Sequence, residues 1–274
     1  MADDSLLALW ALEEYATARS LASNNIDLTD PLTAERFFRD ATRIMGETLG
    51  FSWLARELDS KQSGGYLLLG PQEADDTATR LQRSQRIVNL ALALHEARHI
   101  QGFDYLIVEL RRRQLYEAAA ELRAVSHMLR AGQDAWFVDP RKRVGHTYDG
   151  VVILSGIEVA VEVKAKRPQP VDAFRPNLIE NSLRSARKQL PRDAPSMIYL
   201  QIPSPWSDDP ATMRAVEETI RRWLRSTGRV NAVHLLLERT FVRSDTGISL
   251  AHASFFISNP QPRYPVPDLL EEDP

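Results

Sequence analysis

Hydrophobic residues recur at helical spacing through roughly the first half of the chain. Four segments share a return of apolar residues every three or four positions, which puts them on one helix face: Ser5–Ala22, Thr33–Leu49, Thr77–Gln101 and Asp104–Ala131. Gly102 and Gly132 follow the last two, where a glycine commonly ends a helix. Ser60–Gly65 is typical of a loop. The pattern predicts an all-α N-terminal region over residues 1–103.

After Gly132 the repeat of apolar residues shortens from the helical period to simple alternation. Six segments have the composition and alternation of strands: Asp134–Val138, Thr147–Leu154, Ile157–Lys166, Ser196–Ile202, Val230–Leu237 and Ser249–Ile257. Helical patterns over Leu178–Leu190 and Pro210–Ser226 separate some of them. This mixture predicts an α/β domain over residues 104–258. The proline-rich, acidic residues 259–274 are predicted to be a disordered tail.

The segment around Ser155-Gly156 is the most informative part of the chain. Two alternating runs flank this two-residue turn signal, which is typical of a β-hairpin. If these two residues form the loop, Leu154 pairs with Ile157, and that pairing fixes the register of the whole hairpin. The register places Asp149 directly across from another acidic residue near the open end.

That acidic partner is Glu162, and directly opposed residues share a face with Cβ atoms ~5 Å apart. Lys164, two residues further along, projects from the same face. This face is apolar near the turn and becomes charged only at its open end, whereas the face from Tyr148 to Val163 is apolar throughout and is expected to lie against a core. We therefore expect two carboxylates and a lysine to cluster at one end of the hairpin.

Such a cluster suits metal-dependent cleavage of a phosphodiester. Two adjacent carboxylates repel each other unless a proton or a cation joins them. Oxygen ligands suit Mg²⁺, which also contacts substrate phosphates and lowers the pKa of a bound water. An ammonium group nearby can orient that water or steady the developing negative charge.

The order Tyr148-Asp149, twelve residues, then Glu162-Val163-Lys164 resembles the PD-(D/E)xK, or restriction-endonuclease-like, nuclease superfamily. In that family an aspartate at the end of one strand is followed by an ExK triplet on the next. Tyr148 stands where the family has a proline. The resemblance covers residues 114–202, about a third of the chain, and implies a restriction-endonuclease-like mixed sheet flanked by helices.

Two further family elements have counterparts here. The family core usually opens with a helix that bears a glutamate, followed by a glycine turn into the first strand, and Glu121 with Gly132 matches that order. Glu117, one helical turn earlier, is the second choice. A later helix often ends in a glutamine over the site, and Gln189 is similar.

The resemblance implies specific roles for these residues. Asp149 and Glu162 would hold Mg²⁺ or Mn²⁺, with the Val163 carbonyl as a further ligand. Lys164 would position the attacking water, Glu121 would bind a second metal or orient the first, and Gln189 would complete the site. The implied activity is hydrolysis of DNA phosphodiester bonds.

Local charge favours a polyanionic partner although the whole chain carries −3. Residues 101–192 contain 16 Lys and Arg against 11 Asp and Glu, an excess of five positive charges, so the remainder of the chain carries −8. Three clusters contribute most of the excess: Arg111-Arg112-Arg113, Arg141-Lys142-Arg143 and Lys164-Ala165-Lys166-Arg167. If they lie beside the open end of the hairpin, they would bind phosphate groups. Otherwise they are ordinary solvent-exposed basic residues. His146 and Tyr148 near the site are candidates for substrate contact or for packing.

The composition of the chain excludes several kinds of functional site. The chain has no cysteine, which excludes disulfides, thiolate nucleophiles and zinc–cysteine sites. The acidic start is unlike a signal peptide, and the longest apolar run is too short to span a bilayer, so a cytoplasmic location without membrane contact is expected. The helical N-terminal region is a candidate surface for a protein partner or a second copy of the chain.

A competing motif lies at the end of the third helical segment. His95-Glu96-Ala97-Arg98-His99 fits HExxH, the pattern that places two zinc ligands and a general base on one helix of a metalloprotease, with Glu117 as a possible third ligand. A third interpretation is a nuclease-like module that only binds nucleic acid or protein.

Overall fold

A computed structural model of the chain describes residues 31–59, 77–112, 115–139, 148–166, 174–203, 206–207, 209–237, 239–243, 247–251 and 254–269. These residues fall into two compact units. The first lies within Met1–His95 and Thr240–Ala251, and the second within Glu96–Arg239 and His252–Pro274. The predicted helix over Ser5–Ala22 and the predicted loop over Ser60–Gly65 lie outside the described residues.

Helices occupy the described chain up to Arg130, and strands and helices are mixed after it. The described residues contain the helices α1 (Pro31–Leu49), α2 (Phe51–Asp59), α3 (Thr77–Ala97), α4 (Phe103–Arg112), α5 (Leu115–Arg130), α6 (Pro176–Gln189) and α7 (Pro210–Arg225), and a 3₁₀ turn at Pro267–Leu269. The strands are β1 (Ala135–Phe137), β2 (Gly150–Leu154), β3 (Ile157–Ala165), β4 (Ser196–Ile202), β5 (Ala232–Leu237), β6 (Arg239–Arg243), β7 (Gly247–Ala251) and β8 (Ser254–Ser258).

The second unit is built on a six-stranded mixed sheet in the order β1-β2-β3-β4-β5-β8. The first three strands are antiparallel neighbours, β3, β4 and β5 run parallel, and β8 closes the far edge antiparallel to β5. β6 and β7 form a separate two-stranded sheet. The α/β class expected from the sequence is confirmed.

The predicted hairpin and its register are confirmed. Ser155 and Gly156 form the turn with positive φ angles of 48° and 76°, and Leu154 pairs with Ile157. Positive φ at both loop positions is the geometry of a tight hairpin turn, which glycine adopts without strain. The ladder continues regularly as far as the pair Gly150 and Val161. The predicted pairing of Asp149 with Glu162 is not part of it, because the Asp149 N–H donates to the carbonyl of Val161 at 3.0 Å.

Helices cover both faces of this sheet. On one face, α6 and α7 pack a continuous apolar core against the strands, with Ile179, Leu183 and Ile220 on the helices and Ile198 and Leu235 on the sheet. The sequence pattern predicted only one core-facing side for the hairpin. The structure buries the second side as well, because α6 covers it.

The opposite face is held by α5 through buried polar contacts. Arg123 Nη1 donates to Gln201 Oε1 at 2.9 Å. The His127 ring lies 3.3 Å from the Tyr199 hydroxyl and 3.1 Å from the Ser254 hydroxyl, through its two nitrogens. Burial and nearby arginines lower the pKa of His127, which keeps the ring neutral in this position. These contacts fix α5, and with it Glu121, on the sheet.

Helix boundaries differ from the sequence prediction in two places. Where a single helix was predicted over Asp104–Ala131, the described residues form the two elements α4 and α5, and residues 113 and 114 between them lie outside the described residues. Gly102 does not cap α3, which ends at Ala97. It precedes α4, and its carbonyl accepts the Leu106 N–H at 3.1 Å. Gly132 does end its helix as predicted: the N–H groups of Gly132 and Gln133 donate back into the last turn of α5.

The end of the chain also differs from the prediction. The single strand predicted over Ser249–Ile257 is divided between β7 and β8, which belong to different sheets. The prediction of disorder from residue 259 onward is wrong for residues 259–269. Val266 and Leu269 are buried there, and Asn259 makes buried hydrogen bonds. Residues 270–274 lie outside the described range. Among the described helices, none has the length and apolarity to cross a membrane.

Candidate functional site

Asp149 sits at the open end of the hairpin, just before β2, and is fixed by three contacts. Its backbone N–H donates to the Val161 carbonyl at 3.0 Å, and its carbonyl accepts the Val138 N–H at 3.0 Å. Its carboxylate atom Oδ2 accepts the Val163 N–H at 2.8 Å. Asp149 is therefore tied to both neighbours of Glu162, so the two acidic residues lie close together.

Glu162 is the most deeply buried acidic side chain of this region, with 0% of it exposed. It pairs in register with Ile198 of β4, so it points to the sheet face that α6 covers. Its Oε1 accepts a hydrogen bond from Lys164 Nζ at 2.5 Å. Its Oε2 is buried with no hydrogen-bond partner among the described residues. A carboxylate oxygen in that position lacks the cation or donor that would compensate its burial.

The surroundings of Glu162 hold a proton on it. The pKa of Glu162 rises from 4.5 to about 9, and burial is the largest cause. The adjacent Asp149 charge contributes to the rise, and Lys164 opposes it. Without a second cation, Glu162 is therefore protonated at neutral pH. A divalent ion bound here would replace that proton.

Lys164 and Gln189 come together as the resemblance implied. Lys164 Nζ donates to Gln189 Oε1 at 2.6 Å, and Gln189 is the last residue of α6. The Lys164 side chain is 25% exposed, whereas Glu162 is fully buried. Lys164 therefore lies between the buried carboxyl group and the surface. Because two acceptors fix Nζ, the charge is held in one place beside the carboxylates.

Glu121 is preferred over Glu117 by burial. Glu121 is buried on α5, and its charge is one of the causes that raise the pKa of Glu162. Glu117 is exposed in the first turn of the same helix. The helix, the glycine turn at Gly132 and β1 follow one another in the order that the sequence suggested.

The donor set fits a small divalent ion held by few protein ligands. Across the described residues, no three acidic or histidine side chains are grouped to hold a metal, so Glu121 does not complete an all-side-chain cluster with Asp149 and Glu162. Mg²⁺ commonly takes only one or two carboxylates and keeps several waters for substrate oxygens to replace. The orphaned Glu162 Oε2 beside Asp149 matches that two-carboxylate arrangement.

The HExxH interpretation is contradicted by the geometry. α3 ends at Ala97, so His99 lies in the turn beyond the helix and cannot share a helical face with His95. Glu96, the intended general base, accepts two hydrogen bonds from Arg130 Nε at 2.9 and 3.0 Å and one from Ser126. His99 Nε2 accepts from Arg98. These residues form a structural ion pair at the end of a helix.

The predicted basic clusters are only partly described. Arg111 and Arg112 are exposed at the end of α4, and Lys166 follows β3. Arg113, Arg141–Arg143, His146 and Arg167 lie outside the described residues. Tyr148 is buried in the core, so packing, not substrate contact, accounts for it.

The sequence pattern did not identify one basic residue that contacts the end of α6. Arg229, in the loop before β5, donates from Nη2 to the carbonyls of Leu190 at 2.7 Å and Pro191 at 3.3 Å. These two residues directly follow Gln189. No sequence pattern marks Arg229, because it meets α6 only through the tertiary fold.

Comparison of the chain with protein-family models, with curated proteins and with solved structures finds no match.

Proposed function

We propose that this protein is a divalent-metal-dependent nuclease that hydrolyses phosphodiester bonds of DNA at the Asp149, Glu162 and Lys164 site. The observation that carries the proposal is the fully buried Glu162 carboxylate, which has one oxygen on Lys164 and the other without a partner. Burying such a group beside Asp149 lowers stability, and a cation bound between the two residues would compensate this loss.

The chain's residues have distinct tasks in this mechanism. Asp149 and Glu162 would hold Mg²⁺ or Mn²⁺, with the Val163 carbonyl as a candidate further ligand. When bound, the metal ion lowers the pKa of a coordinated water and neutralises charge on phosphate oxygens.

Lys164 acts on the water and the reacting phosphate. Its Nζ is fixed between Glu162 Oε1 and Gln189 Oε1. The ammonium group is therefore preorganised beside the place where negative charge develops, which is where a fixed cation is most effective. Gln189 is a positioning residue, and Glu121 orients the carboxylates or serves a second metal ion.

The restriction-endonuclease-like fold is part of the proposal. It is supported by the order of the elements: α5 with Glu121, the turn at Gly132, β1, then Asp149 at the start of β2. The ExK triplet follows on β3, and α6 ends in Gln189. This order of elements along the chain supports the resemblance.

Cleavage of plasmid and single-stranded DNA in Mg²⁺ or Mn²⁺ tests the proposal. We expect Lys164→Ala to lower the cleavage rate by at least about 100-fold, the scale of removing one preorganised charge-stabilising group. Lys188→Ala removes an exposed lysine of α6 next to Gln189 and serves as the matched control. His95→Ala, which breaks the HExxH motif, is expected to retain cleavage.

Metal binding is measured separately by calorimetric titration of Mn²⁺. We expect Asp149→Asn and Glu162→Gln to lose binding and Lys188→Ala to keep it, because amides are neutral and weaker ligands for hard cations. Wild-type protein that binds no Mn²⁺ and cuts no DNA would contradict the proposal. Protein that binds DNA without cutting it would instead be a non-catalytic module.

A further inference from the structure

Three arginines, Arg187, Arg192 and Arg229, lie at the C-terminal end of α6. Arg229 reaches across from the loop before β5 and donates to the carbonyls of Leu190 and Pro191. Arg187 lies in the last turn of α6, and Arg192 follows the helix directly after Pro191. Burial is the largest cause that lowers the pKa of Arg229, and the charges of Arg187 and Arg192 lower it as well.

The described residues supply no acidic charge that acts on the pKa of Arg229, whereas two arginine charges do. The Nε atom of Arg229 is buried with no hydrogen-bond partner among the described residues. Backbone carbonyls at the end of a helix attract one cation, but they do not compensate three. An anion at this place would relieve the repulsion.

The cluster lies beside the proposed catalytic site. Gln189 accepts from Lys164 Nζ, and the next residue, Leu190, accepts from Arg229 Nη2. Lys164 and Arg229 thus contact consecutive residues at the end of α6, whose Cα atoms are about 3.8 Å apart. Successive phosphates of one strand of a duplex advance by about 3.4 Å along the axis, so a bound strand presents a row of phosphates to such a surface.

We infer that Arg187, Arg192 and Arg229 form a subsite for a backbone phosphate of nucleic acid, one or more nucleotides away from the bond that is cut. The inference rests on the proposed nuclease function and adds the direction in which the strand leaves the metal site: along the end of α6. Arg229 is fixed by the fold, whereas Arg192 is exposed and Arg187 half-buried, so both can close on a phosphate.

Fluorescence anisotropy with a labelled oligonucleotide tests this subsite. Binding is measured in EDTA over a series of salt concentrations, so that it does not depend on cleavage. We expect Arg187→Ala/Arg192→Ala to weaken binding by about ten-fold and to lower the salt slope by about one, since one phosphate contact is lost. Arg229 is left in place because it also caps α6.

The matched control is Arg214→Ala/Arg225→Ala, which removes the same charge from the exposed side of α7. Equal losses of oligonucleotide affinity in the two double variants would indicate nonspecific electrostatic attraction and would overturn the subsite. Wild-type affinity in Arg187→Ala/Arg192→Ala would overturn it as well. A thermal shift with inorganic phosphate that disappears in that variant, while oligonucleotide binding is unchanged, would assign the cluster to a free anion and also overturn it. Absence of wild-type cleavage in Mg²⁺ would refute the catalytic proposal alone, since the anisotropy result still decides the subsite.

Discussion

A single buried carboxylate links stability and chemistry in this protein. Glu162 has no exposed surface, and the charges of Asp149, Glu121 and Lys164 act on it. Its folded-state pKa of about 9 lies far above its ordinary value of 4.5, mainly because burial penalises the charged form. The folded protein therefore holds a proton that the unfolded chain releases.

This difference fixes the sign of a pH effect on the metal-free protein. Stability from the protonated Glu162 is complete below pH 4.5 and is lost as pH rises toward about 9. In that window the free energy of unfolding falls by up to about 1.4 kcal/mol per pH unit for one proton. Glu162→Gln does not titrate, so its stability relative to wild type should grow with pH across the window.

Urea unfolding in EDTA, followed by tryptophan fluorescence, measures this difference. Glu180→Gln, at a partly exposed glutamate of α6, is the control and should track the wild-type pH profile. Parallel profiles for wild type and Glu162→Gln would contradict the protonated, buried carboxyl. Saturating Mg²⁺ should flatten the wild-type profile, because the cation replaces the proton.

At the scale of elements, the position of β1 determines where Asp149 lies. β1 is an edge strand, and its outer side is covered by the segment between α3 and α4, where Gln101 accepts the Phe137 N–H at 3.0 Å. Gly102 in this segment has φ +87°, and a Cβ there would lie 2.4 Å from the Phe137 carbonyl oxygen. Only glycine allows this approach.

Gly102→Ala should therefore destabilise the second unit by about 3 kcal/mol, the sum of a left-handed backbone penalty and a clash with main-chain atoms. It should also slow cleavage, since Val138 just beyond β1 donates to the Asp149 carbonyl. Gly132→Ala is the matched control: its φ is +74°, but nothing lies within 4 Å of the added Cβ. Its cost should be about 1 kcal/mol, from the backbone alone. Equal losses in chemical denaturation would show that the close approach to β1 is unimportant.

At the scale of the whole molecule, the C-terminal segment completes the second unit. Asn259 is 1% exposed, and its Nδ2 donates to the carbonyls of Thr227 at 2.6 Å and Val230 at 2.7 Å. Its Oδ1 accepts the Gln261 N–H at 3.0 Å. The segment thereby holds the loop that carries Arg229.

Asn259→Ala should lower the free energy of unfolding by about 2–4 kcal/mol, because it leaves buried carbonyls unsatisfied. It should also weaken oligonucleotide binding, as the Arg229 loop loses its support. Gln261→Ala removes an exposed side chain but keeps the backbone N–H that Asn259 accepts, and it should stay close to wild type. A stable Asn259→Ala protein would mean that residues 259–269 contribute little to the unit.

The sequence by itself determined the features that depend on near neighbours in the chain. The turn at Ser155-Gly156 and the alternation beside it are local, and together they set the register as far as Gly150 and Val161, which leaves Asp149 close to Glu162. The strand β4 and helix α7 were also found within a residue of their bounds. In each case the signal lies in spacing and turn chemistry over a few residues.

Tertiary structure decided what depends on distant parts of the chain. α6 buries the side of β3 that the hairpin pattern left half exposed, and this raises the pKa of Glu162. The loop before β5 brings Arg229 to the end of α6, and Asn259 finds its partners more than 25 residues away. Burial and long-range contact are properties of the assembled layers, so no local pattern of residues encodes them.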